Sequence, residues 1–570
     1  MAHDFDLVIR GGTVVDGTGG EPMVADVGIS GPTIVAVGEG LGAGTEEVDA
    51  RGHLVTPGFV DVHTHLDGHT AWGSRLEPCS GHGVTTAVFG NCGVGFAPAR
   101  PADRETLINL MHGVEDIEPD VLRAGLPWEW ETYPEYLDFL GGRRYDMDVG
   151  ALVPHSALRV HVMGERGMDG EVATPDDVAG MATVAREAVA AGALGFATSR
   201  LTEQRAGDGR HIPSLNAAES ELEAIACAMG RGVLQMAIEF NEFPSVVDEL
   251  EMLVRVARHS GRPTMYSLKQ CNRTPEGWRD LLDITSRANA EGVDIHPQVL
   301  GRPTGLVVHW DGGLQPFALT PTYLKVAPLP IERRVADLRR PEVRAAIVGE
   351  AAENQVKVRA DFSNYFRFGE PPDYEPDPGT SVEHEAAQRG IDPLELIYDL
   401  MLERDGRGQL LCCIGNYAQG SLDPALEMMR FPGSVPGLGD GGAHSTVVCD
   451  ASISTYMLTY WTRDRTRGDR LPLPFVVRWL TADCASAMGL HDRGTIAVGR
   501  KADLNVVDYD HLTLHAPRRQ ADLPAGGHRL VQDVDGYVAT VVSGEIVRRD
   551  DQPTDALPGR LVRGRRPAGR

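Results

Sequence analysis

The chain has 570 residues, of which 42% are hydrophobic and 24% charged, the make-up of a globular protein long enough for one large domain and a smaller one. A formal charge of −27 repels polyanions and excludes a general nucleic-acid surface. The 8 cysteines lack paired C-x-x-C elements, which excludes a disulfide scaffold and a zinc ribbon.

The opening MAHDFDLVIRGG carries no leader pattern, and no apolar run reaches membrane length, so a cytoplasmic protein without a membrane partner is expected. The first fifty residues read as short strands broken by glycine turns: DLVIRGGTVVDG, VADVGISGPTIVAVGE and VDARGHLVTPG. The same texture returns in KADLNVVDYDHL and YVATVVSGEIVRRD, with a hairpin turn at Ser543-Gly544. Neither piece closes a core alone, so residues 1–57 and 491–550 are expected to meet in one small β-sandwich domain.

Between 58 and 490 the texture changes. Candidate strands are GFVDVHTH, TTAVFGNCG, VGALVPHSALR, LGFATSR, VLQMAIEF, PTMYSLKQ, VDIHPQVLG and VPGLGDGG, with amphipathic helices in PDDVAGMATVAREAVAAGA and ESELEAIACAMGRG. Alternation of this kind predicts an α/β fold, a TIM-type (β/α)8 barrel with its chemistry at the carboxyl ends of the strands. Inserts near 100–147 and 305–400 are long enough to be lids or interfaces. The aromatic run WEWETYPEYL either packs the first insert or meets an apolar acyl group. Residues 551–570, with Arg560, Arg563, Arg565, Arg566 and Arg570, read as a basic, solvated tail.

The stretch GFVDVHTHLD sets His63 and His65 one residue apart at a strand end. Alternate strand residues share a face, so both imidazoles leave at one depth, as a metal site needs. Other predicted strand ends carry Cys92, His155, Asp440 and His444. Imidazole, carboxylate and thiolate all suit zinc, and a carboxylate beside an activated water can move its proton, so hydrolysis is the natural reaction class. His82, His161 and His296 read as local hydrogen-bonding residues, although His296 also falls in a strand that could line the pocket.

With GGTVVDGTG, PGFVDVHTH, HGVTTAVFGNCGVGFAP, VPHSALRVHVMG, AGALGFATSR, GLGDGGAHS, LTADCASAMGLHDRG and GRKADLNVVDYD in order, the chain resembles the amidohydrolase superfamily, within it the D-aminoacylase branch. The resemblance implies a metal-dependent barrel with a β-sandwich built from both ends. It implies that His63, His65 and Asp440 bind the more exposed metal, that Asp440 is the general acid/base, and that Cys92 helps hold a tightly bound zinc. Lys269 matches a residue that binds the substrate carboxylate.

Two departures stand out. Where the family has zinc-binding histidines on strands five and six, this chain has Gln235 and Ser267, far weaker ligands. One zinc is therefore expected, with a second ion left open. The loop after Asp440 also lacks the family's carboxylate-binding arginine, and Arg159, Arg200, Arg302 or His155 could supply substrate contacts instead. The implied activity is cleavage of an amide C–N bond in a small N-acyl compound, an N-acyl-D-amino acid foremost. A non-hydrolytic lyase or decarboxylase, or a barrel that binds a small molecule without turnover, are the alternatives. A homo-oligomer is compatible with the sequence.

Overall fold

The structure is a computed structural model describing residues 4–239, 245–358, 361–437 and 439–564. Phe240 and Leu438, within two of the expected strands, and Arg565, Arg566 and Arg570 lie outside the described residues.

The amino-terminal strands are β1 (Phe5–Val14), β2 (Met23–Ser30), β3 (Thr33–Gly38), β4 (Gly44–Asp49) and β5 (Leu54–Pro57). Barrel strands follow: β6 (Phe59–Thr64), β7 (Val84–Phe89), β8 (Asp148–Pro154), β9 (Gly195–Ser199), β10 (Val233–Ala237), β11 (Thr264–Leu268) and β12 (Ile295–Val299). The second insert contributes β13 (Thr304–Val308), β14 (Tyr365–Phe368) and β15 (Gln409–Gly415), after which β16 (Val435–Pro436) returns to the barrel. Beyond it come β17 (Leu504–Val507), β18 (Thr513–Leu514), β19 (Arg518–Gln520), β20 (Arg529–Val531), β21 (Val534–Asp535), β22 (Tyr537–Val542), β23 (Glu545–Arg549) and β24 (Gln552–Pro553).

The eight barrel strands form one parallel sheet in the order β16-β12-β11-β10-β9-β8-β7-β6, and a parallel bridge between Thr64 and Gly441 draws its ends together. The expected (β/α)8 barrel is thus present. Val62, Val88, Leu152, Ala197, Val233, Met265 and Val435, one from each of seven strands, pack in a single buried cluster. Side-chain layers of this kind make a barrel interior a packed core rather than a pore. Gln235 and Ser267 follow Val233 and Met265 by two residues on β10 and β11, so alternation raises them one layer nearer the carboxyl ends.

Strands from both chain ends share a nine-stranded sheet, β24-β23-β22-β17-β5-β1-β2-β3, with β4 on β1. The register of β1 shifts between Ile9 and Gly12, where Gly11 takes φ 63°. The first half of the strand pairs with β4 and the second with β5, and the left-handed conformation at the break is one that glycine adopts freely. Leu7, Ile9, Val27, Ile29, Leu504, Val506, Ala539 and Val541 fill the core of this unit.

Four expectations need correction. The strand predicted through VPHSALR stops at Pro154, and His155–Met163 is a helix; a proline just before the first helical turn loses no helix hydrogen bond. His296 lies at the start of β12, bonded to Gly433 O and Asp294, on the mouth opposite the strand carboxyl ends. The segment 551–564 is not a solvated tail: Gly559 bridges Tyr145, Val562 N donates to Val149 O, and Arg563 reaches Ala191 O and Leu137 O. The second insert also runs past 400, since β15 pairs with both β13 and β14 and completes their sheet. Trp310, Phe317, Tyr323 and Tyr398 form the heart of its own core.

Candidate metal centre

Strand β6 delivers the first two groups. The β6–β7 register is irregular between Asp61 and Thr64, and such irregularities re-aim side chains at barrel rims. The His65 amide continues the pairing by donating to Gly441 O. The imidazole rings of His63 and His65 stand 5.6 Å apart, edge to face.

Cys92 follows β7, and its Sγ lies 3.3 Å from His63 Nε2. Asp440 Oδ1 lies 3.4 Å from the same nitrogen and 3.6 Å from His65 Nε2. One donor atom each from His63, His65 and Cys92 falls within a sphere in which all are within 4.8 Å of one another. Two imidazoles, a thiol and a carboxylate converging in this way fit a zinc-type ion by donor chemistry and spacing. His63 and His65 are sealed from solvent, whereas the Asp440 side chain keeps 20% of its exposure, so the centre opens on the Asp440 side.

The far faces of both rings are occupied. His63 Nδ1 meets Gln298 Oε1 at 3.2 Å, and the same oxygen accepts from Gln235 Nε2. An amide oxygen only accepts, so Nδ1 carries a proton and Nε2 is the nitrogen that faces the centre. His65 Nδ1 faces Glu115 Oε1 at 3.3 Å. Gln235 uses its own oxygen to accept the Cys92 amide, and Ser267 Oγ, though buried, has no hydrogen-bond partner among the described residues. At the two positions where the resemblance leads one to expect histidines there are a carboxamide engaged at both ends and a hydroxyl.

Electrostatics follow from crowding these groups in a buried space. Burial works against charge on His63, but Cys92 and Asp440 outweigh it and hold the imidazole pKa at about 9. Burial likewise opposes charge on Asp440, yet His65 and His63 hold its carboxyl well below the usual range. Cys92 is lowered by His63 and His65 against the cost of burial. Lys269, just past β11, is pushed down by burial, and Glu203, Glu239 and Asp440 are near enough for their charges to act on it.

The other residues expected at the substrate are tied elsewhere. His155 bonds Thr198 and Glu221 through its two nitrogens, and Arg159 places both oxygens of Glu221 within 2.7 Å. Arg200 pairs with Glu249 at 2.9 Å. Arg302 is held by Asp450 and Cys449 O beneath the Tyr374 ring. The aromatic run packs inward: Trp130, Tyr133 and Tyr136 are buried, and Trp130 donates to Phe96 O. Two residues at the centre escaped the sequence reading. Gln298 left a faint signal, a polar residue in the apolar end of a strand; Glu115, closing the helix Arg104–Glu115 in the first insert, left none.

A model of the amidohydrolase family matches residues 46–548. N-acyl-D-glutamate deacylase of Alcaligenes xylosoxydans xylosoxydans is 28% identical over 575 residues, covering 96% of this chain and 98% of that protein. D-aminoacylase of the same organism is 29% identical over 307 residues, so the chain spans 59% of the length of that relative and 53% of its own is matched. Among solved structures, N-acyl-D-glutamate deacylase from Bordetella bronchiseptica, complexed with zinc and a phosphonate that mimics the tetrahedral intermediate, superposes with a TM-score of 0.66. That match covers 98% of this chain and 100% of the other at 24% identity, and is a likeness of fold.

Proposed function

The chain belongs to the amidohydrolase family, and from that premise we propose that it is a one-zinc deacylase of N-acyl-D-amino acids. It is a hydrolase of carbon–nitrogen bonds, and its relatives named for N-acyl-D-glutamate and N-acyl-D-aspartate motivate the substrate class. The observation that carries the reading is Asp440 Oδ1, within 3.6 Å of both imidazoles on the solvent-open side of the centre.

His63, His65, Asp440 and Cys92 would hold the zinc, which when bound supplies a Lewis acid that polarises an amide carbonyl and acidifies water. Asp440, kept ionised by the two histidines, accepts a proton from the attacking water and passes it to the departing nitrogen. Gln298 fixes the ring of His63 in one orientation. Lys269, which the resemblance matches to a carboxylate-binding residue and which lies within charge range of Asp440, receives the carboxylate of the amino acid; Arg159, Arg200 and Arg302 pair with Glu221, Glu249 and Asp450. The Gln235 and Ser267 pair supports a single ion.

Elemental analysis of the zinc-supplied protein should find about one zinc per chain, lost in a His63→Ala/His65→Ala variant. Hydrolysis of N-acetyl-D-amino acids in isotopically labelled water should place solvent oxygen in the released acid. No amine release from any D-substrate by zinc-loaded protein, or zinc retained in the double variant, sinks the proposal.

A further inference from the structure

All the groups placed around the proposed zinc come from barrel strands and the loops at their ends, with one exception. We propose that Glu115, supplied by the first insert, is a positioning residue whose negative charge orients His65 and strengthens its hold on the metal. The inference rests on the zinc-site reading above.

Glu115 is 1% exposed. Its Oε1 lies 3.3 Å from His65 Nδ1 and its Oε2 3.5 Å from His444 Nε2. Among the described residues neither oxygen accepts a hydrogen bond. A desolvated carboxylate in that condition is costly unless a positive charge compensates it, and two imidazoles are what it faces. His65 Nδ1 likewise makes no hydrogen bond among the described residues, so the approach acts through charge: an anion beside Nδ1 favours the proton there, leaves Nε2 facing the proposed zinc and raises the basicity of the ring as a ligand. The two rings are therefore backed differently, His63 by a neutral carboxamide and His65 by a charge.

The placement is anchored by backbone as well as side chain. Glu115 is the last residue of its helix, Asp116 turns the chain with φ 53°, and Glu115 O accepts the His444 amide. Asp116 O accepts from Ser445 Oγ, and its carboxylate accepts from Thr446 Oγ1. One end of the insert thus grips the loop that follows Asp440 while presenting a carboxylate to His65. Docking and charge sit on adjacent residues, so they can be separated by substitution.

The test is zinc affinity of the full chain, measured by competition with a chromophoric chelator, alongside the melting temperature of the zinc-stripped protein. Glu115→Gln keeps the shape and removes the charge, and its affinity should fall roughly 10- to 100-fold with stripped melting unchanged. Asp116→Asn weakens the docking but leaves the charge, and should keep affinity within about threefold. Glu115→Asp, which restores the charge one methylene short, should recover part of the loss. Glu115→Gln binding zinc as wild type does would overturn the inference. So would equal losses in Glu115→Gln and Asp116→Asn, or a Glu115→Asp no better than Glu115→Gln. A wild-type protein that takes no zinc would instead overturn the function proposed above, and this inference with it.

Discussion

Asp440, Cys92 and His444 share a peculiarity: each is a non-glycine residue in left-handed backbone, with φ of 42°, 54° and 47°. Such conformations cost about 1–3 kcal/mol each and persist where the surroundings enforce them. Asparagine tolerates this region as well as aspartate does, so Asp440→Asn should fit the turn without added backbone strain while kcat on an N-acetyl-D-amino acid falls about 10²–10⁴-fold. Full activity would remove Asp440 from the mechanism. At this scale the convergence of His63, His65, Cys92 and Asp440 was legible because all four reactive side chains stand at predicted strand ends. Glu115 was not, for it stands among Asp116, Glu118 and Asp120 in a helix-ending stretch, and nothing local distinguishes one acid from its neighbours. A pH dependence also belongs here. Burial pushes His69 and His82 from 6.5 down to about 3, so the unfolded chain binds their protons first. The stability they contribute is complete above pH 6.5 and is lost as pH falls toward 3, by up to about 1.4 kcal/mol per pH unit for each. His82→Gln should flatten the fall in melting temperature between pH 7.5 and 5; an unchanged slope would contradict it.

Elements explain why His155 and Arg159 turn away from the strand end where the sequence set them. An apolar run such as VGALVPHSALRV does not reveal where β8 yields to the helix His155–Met163, because short buried strands and buried helices share a composition. Once His155 and Arg159 sit on that helix they turn to Glu221 on the helix Glu219–Met229, and Arg159 and Glu221 are 0% and 1% exposed. The three form a cross-tie between two outer helices and β9, through the His155 bond to Thr198. Glu221→Ala would leave a guanidinium buried without its counter-ion and should cost about 3–5 kcal/mol in denaturant unfolding. A loss below about 1 kcal/mol, the worth of an exposed pair, would show that water reaches this site.

For the molecule as a whole, the alternation of strands and helices made the barrel legible, and the recurrence of short strands at both ends suggested that they meet. The second insert was legible only as an interruption, since its sheet joins β13 to β15 across the long stretch between Val308 and Gln409, and pairing over that separation leaves no local pattern. The packing of 559–562 along Tyr145 and Val149 was hidden for the same reason, behind arginines that read as solvated. Ending the chain after Asp555 should lower the melting temperature by several degrees while zinc stoichiometry stays the same; an unchanged melt would mean the segment is only laid on the surface. The pairing of β5 with β17, Leu54 against Val507, bears on how the protein is made. A ribosome delivers β1 to β5 long before their partner exists, so through most of synthesis β5 presents an unpaired, apolar edge of the kind that recruits foreign strands. The barrel that separates these halves is thus also the interval during which the nascent chain is most open to aggregation.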